Sequence, residues 1–126
     1  MTLDCKVTAA LGLLVVSALA PVSANAFACE PEMPQLAVFG QHVANRGQAR
    51  HAYQLAAKDR AVTNQSCACP YVDWSFDAFI EDRLNKPAAE LTEPEIRELR
   101  QWSDMEGVTI LRAYRAFFMA ICEVDD

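Results

Sequence analysis

The sequence predicts an all-α fold: a small irregular three-helix bundle stapled by disulfides, following a cleaved signal peptide. Three observations predict it. Apolar residues recur at spacings of three and four with no period-two alternation, four cysteines lie beyond the leader, and an uncharged apolar run spans Val7 to Ala20.

The leader comes first. Lys6 lies in a short n-region, Val7 to Ala20 is apolar and uncharged, and Ala24-Asn25-Ala26 has the small-x-small form that signal peptidase reads. The run is shorter than the roughly 20 residues a spanning helix needs. The expected organisation is therefore a signal peptide over 1–26 and a single helical domain over 27–126, exported to the periplasm or secreted, with no membrane span after processing. Lipidation at Cys29 is disfavoured because Ala26 sits where a branched apolar residue is expected. Processing would remove Cys5 and leave Cys29, Cys67, Cys69 and Cys122, an even set suited to an oxidising compartment.

In the remaining chain, Glu30-Pro31-Glu32-Met33-Pro34 reads as an extended lead-in. A first helix is expected from Pro34 or Gln35 to about Val62, continuous or kinked, with Leu36, Phe39, Val43, Tyr53 and Ala57 buried. The stripe Ala37, Gly40, Ala44, Gly47, His51 would let a second helix approach closely, although Asn45-Arg46-Gly47 could equally break the helix. Thr63 to Pro70 reads as a loop. A second helix is expected from Asp73 or Ser75 to Leu84, burying Phe76, Phe79, Ile80 and Leu84, and ended by Asn85-Lys86-Pro87. Thr92 and Glu95 form a capping box that opens the third helix, with Leu91 and Ile96 as its hydrophobic staple. Its buried face is Ile96, Leu99, Trp102, Ile110, Tyr114, Phe117 and Ile121, with a kink expected at Gly107.

Cysteine pairing constrains this layout. An unbroken first helix would be roughly 42 Å long and would hold Cys29 away from the loop. A broken one lets Cys29 and Cys122 each bond into the loop, one to Cys67 and the other to Cys69. The second arrangement is the preferred class of connectivity and stands in tension with a continuous first helix.

The chemistry-bearing motifs are few. Cys67-Ala68-Cys69 lacks the C-x-x-C spacing of a redox pair. As thiolates the two could hold copper or zinc, but His42 and His51, nine residues apart, would lie on opposite faces of a straight helix. No C-x-x-C-H, H-E-x-x-H, G-x-S-x-G or glycine-rich phosphate loop occurs, so no catalytic residue and no cofactor is expected.

Charge is the other signal. The net charge is −6, and loss of Lys6 with Asp4 in the leader leaves it unchanged. From Phe27 to Ser66 there are four basic and three acidic residues, and from Cys67 onward six basic and thirteen acidic. Such a surface repels nucleic acid and anionic lipid and suits a cationic partner.

The expected function is an exported, non-catalytic interaction module, such as an accessory subunit of an envelope or secretion assembly or an inhibitor or immunity-type protein. Its contact residues would be Tyr71, Trp74, Phe76, Asp77, Glu81 and Asp82. The alternatives are a periplasmic Cu/Zn-handling protein using Cys67 and Cys69, or a stress chaperone.

Overall fold

The computed structural model describes residues 29–123. The leader read over 1–26, Cys5 with it, lies outside the described residues. Among them there are three α-helices and no strand: α1 (Asn45–Thr63), α2 (Phe76–Leu84) and α3 (Glu93–Phe117). Short 3-10 turns at Ala37–Gly40 and Ala88–Glu90 precede α1 and α3, and a π-helical turn, Phe118–Cys122, extends α3.

The first helix is interrupted, and not at Gly47. Its expected N-terminal half is reduced to the 3-10 turn, because the polar residues at 41–45 offer the backbone other partners. The His42 Nδ1 accepts from the Ala44 N–H at 3.1 Å, and Gln41 N–H closes on Val38 O. Asn45 then fixes the new start: its buried side-chain amide donates to Val38 O and to Glu93 Oε2, both at 2.8 Å. Val43, expected in the core, is 93 % exposed on this bend. Gly47 sits in the first turn of α1. A Cβ built at Gly40 or Gly47 would meet nothing within 4 Å, so the small-residue stripe is not a close-packing seam.

α2 starts as its sequence dictates, with the Ser75 hydroxyl accepting from Ala78 N–H at 3.1 Å. It ends on Asn85, whose φ of 59° is the left-handed conformation that asparagine tolerates best after glycine. α3 opens on the Thr92–Glu95 capping box with both halves formed. Leu91 and Ile96 are both buried, as a staple requires.

Contacts along their length make α1 and α3 parallel. Asn45 meets Glu93 at the N-terminal ends, Leu55 faces Gly107 midway, Lys58 lies over the Tyr114 ring, and Cys67 bonds to Cys122 beyond the C-terminal ends. Parallel neighbours need a return crossing, supplied by the cysteine loop, α2 and the second 3-10 turn. Gly107 lies within an α3 that is continuous from Glu93 to Phe117. It permits the approach of α1, since a Cβ there would touch Leu55 Cδ1 at 3.4 Å.

Tyr53, Phe76, Phe79, Ile80, Ile96 and Leu99 form one core that joins all three helices, with Met33, Leu36, Phe39 and Trp102 packed around it. Ile121 departs from expectation at 53 % exposed. The π turn it belongs to changes the residues per turn after Phe117 and carries Ile121 off the buried stripe.

Two disulfides fix the periphery: Cys29–Cys69, with Cα atoms 5.6 Å apart, and Cys67–Cys122, at 5.5 Å. This is the expected class of connectivity, reached by the break before α1.

Candidate partner-binding surface

The loop between α1 and α2 is held at both cysteines, and this positions the aromatic residues that follow. Tyr53, 1 % exposed, is the hub. Its ring centroid lies 5.5 Å from Tyr71, 6.1 Å from Trp74, 5.7 Å from Phe76 and 5.7 Å from Phe79. Its hydroxyl donates to the Trp74 carbonyl, which ties the loop to α1. Burial, then Tyr71, then Glu32 push the Tyr53 phenol up to about 12. Burial also raises Tyr71, with Tyr114 adding to the rise and Arg50 opposing it, and burial raises Tyr114.

Of the six residues expected to contact a partner, the fold brings two together and disperses the others. Tyr71 and Trp74 are half-buried and line a cleft of about 570 Å³. Phe76 is 2 % exposed, locked edge-on against Phe39 at 6.2 Å and against Tyr53. It is a core residue, so its part is to hold the cleft wall from behind and not to touch a partner. Asp77 and Glu81 are exposed one turn apart on α2. Asp82 lies in a separate recess beside Arg60, Arg83 and Trp102, where two guanidinium groups share the space.

The cleft recruits three acids that the expected set lacks. Glu30 and Glu32 enter from the N-terminal segment and Asp73 from the loop, facing Tyr53, Tyr71 and Trp74. No lysine, arginine or histidine lines it. Glu30 and Glu32 reach this place because Cys29 is bonded to Cys69, so the signal that could have found them was the disulfide connectivity. Asp73 is 3.9 Å from Arg60, whose guanidinium sits 5.1 Å from the Trp74 ring centroid. An exposed pair at that distance is worth little and leaves Asp73 available.

Aromatic faces ringed by carboxylates attract a cationic side chain through the ring quadrupole and direct charge pairing together. The Ser75 hydroxyl at the rim is committed to capping α2.

The thiolate-clamp alternative meets a geometric obstacle. Cys67 and Cys69 are bonded to different partners and offer no thiolate pair while those bonds persist. No group of three or more His, Cys, Asp or Glu side chains placed to hold a metal occurs among the described residues. His42 and His51 are both exposed, on the bend and on α1 respectively. Cys29, bonded to Cys69, has no free sulfur for a lipid.

The chain matches no protein family model, no curated protein and no solved structure.

Proposed function

We propose that this chain is an exported, non-catalytic interaction module that takes a lysine- or arginine-bearing segment of a partner protein into the cleft between its N-terminal segment and the Cys69–Ser75 loop. The supporting observation is the composition of that cleft: Glu30, Glu32 and Asp73 beside the half-buried rings of Tyr71 and Trp74, with no basic residue in the lining. Export is supported by the two disulfides, which form and persist in oxidising compartments. No helix among the described residues is long and apolar enough to cross a membrane. An accessory subunit of an envelope or secretion assembly, or an inhibitor of a cationic protein, would use such a surface.

Trp74 reports on the site directly. In a Trp102→Phe background, titration with a lysine-rich peptide should change its fluorescence saturably and weaken steeply with added salt. Reversal of charge by Glu30→Lys with Glu32→Lys should weaken binding at least about tenfold, the scale of losing desolvated charge pairs. Reversal at Asp77 and Glu81 should have a smaller effect. No saturable change, or binding indifferent to the Glu30 and Glu32 reversal, would overturn the reading.

A further inference from the structure

One flank of α3 carries a seam that no other element covers among the described residues. Asp104, Val108, Leu111, Arg115 and Phe118 follow one another at spacings of four, three, four and three, the repeat of a coiled-coil seam. Val108 is 66 % exposed and Leu111 44 %, flanked by Met105 at 74 %. Isolated exposed apolar residues are ordinary, but a run in helical register, continued by the groove of Tyr114, Phe118 and Met119, is an unsatisfied interface. None of the seam residues lines the acidic cleft.

The charges on the seam say what covers it. Its apolar centre lies between Val108 and Leu111, with an acid four residues before Val108 and a base four residues after Leu111. Against a second α3 running antiparallel, Val108 of each copy layers on Leu111 of the other, and each Asp104 meets the other copy's Arg115. Against a parallel α3, Asp104 would face Asp104 and Arg115 would face Arg115, two repulsive layers. Among the described residues, Asp104 has an exposed contact with Arg100 at 3.7 Å, which is easily exchanged. The seam is thus self-complementary under a twofold axis and in one direction only, the requirement for an isologous interface.

We infer that the protein forms an antiparallel homodimer through α3, with the Val108–Leu111 layers at its centre and Asp104–Arg115 pairs at both ends. A single helix pair is a small interface, so association is expected on the order of micromolar or weaker.

Sedimentation equilibrium of the exported, oxidised chain, from roughly 10 μM to 1 mM, reads the association directly. A concentration-dependent dimer is expected. Val108→Glu should raise its dissociation constant at least about tenfold by burying two carboxylates at the centre, with unchanged helical circular dichroism because the side chain is exposed. Asp104→Arg and Arg115→Asp should each weaken the dimer, and the two together in one chain should restore it. A chain that is monomeric throughout, a dimer indifferent to Val108→Glu, or a failure of the double exchange to restore what the single changes lose would overturn the proposal.

Discussion

Tyr53 concentrates most of what ties the loop to the helices. It is buried, it stands at ring-contact distance from four aromatic side chains, and its hydroxyl satisfies the Trp74 carbonyl. Tyr53→Phe keeps the packing but leaves that carbonyl unpaired, and should cost about 1–2 kcal/mol in a denaturant titration. Because the phenol is raised to about 12 from an ordinary value of 10.0, the folded state holds its proton more tightly than the unfolded chain does. The stability this contributes is complete below pH 10 and is lost as the pH rises toward 12. All three tyrosines of the chain are raised. An absorbance titration of phenolate should accordingly run to higher pH in the folded protein than in denaturant. Glu95 behaves oppositely. Burial pushes its carboxyl up, but hydrogen bonds from Lys86 and from the Thr92 amide and hydroxyl outweigh that and hold it below its ordinary value. That stabilisation is present above the ordinary carboxylate range and is lost on acidification.

The helices show where sequence pattern was sufficient and where it was not. α2 and α3 were legible because their ends are marked by side chains that act locally: Ser75, Asn85, and the Thr92–Glu95 box. The start of α1 was not, because what decides it is nonlocal. Asn45 reaches Glu93 across 48 positions, and no window of sequence contains both. The two misread glycines have the same origin. Gly47 looked like a packing or breaking residue and is an exposed helical one, whereas Gly107 looked like a kink and is a buried residue packed against Leu55 of α1. Substitution separates them. Gly47→Ala should stabilise by about 0.5–1 kcal/mol through helix propensity alone. Gly107→Leu should cost several degrees in melting temperature by forcing Leu55 away. The candidate site was legible in part for a similar reason. Tyr71 and Trp74 are close in sequence, but Glu30 and Glu32 join them only through a disulfide whose partners are 40 residues apart.

For the molecule as a whole, the parallel pairing of α1 and α3 makes the cysteine loop indispensable. Parallel helices joined through a long crossing have no short turn to hold their C-terminal ends together, and Cys67–Cys122 takes that place. Removing it by Cys67→Ser with Cys122→Ser reopens a loop spanning 55 residues and should cost about 4 kcal/mol. Removing Cys29–Cys69 opens one spanning 40 and should cost a similar amount. The two losses differ in kind. Without Cys29–Cys69 the N-terminal segment no longer delivers Glu30 and Glu32, so binding of a basic peptide should fall with the fold still present in circular dichroism. Without Cys67–Cys122 the π turn and the end of α3 should fray while the cleft persists.

Between Cys67 and Cys69 stands a single residue, Ala68, and each cysteine is bonded to one far end of the domain. A pull applied at Cys29 and Cys122 would therefore travel from 29 to 69, along one short stretch to 67, and out at 122, entirely through covalent bonds. The core and all three helices lie off that path, and the cleft meets it at Cys69. Held at those two points the domain can neither lengthen nor unravel under tension, however marginal its folding free energy, until a disulfide is reduced. Mechanical load and chemical reduction are thereby placed in series, and a reductant acting on either bond would release tens of residues of slack at once.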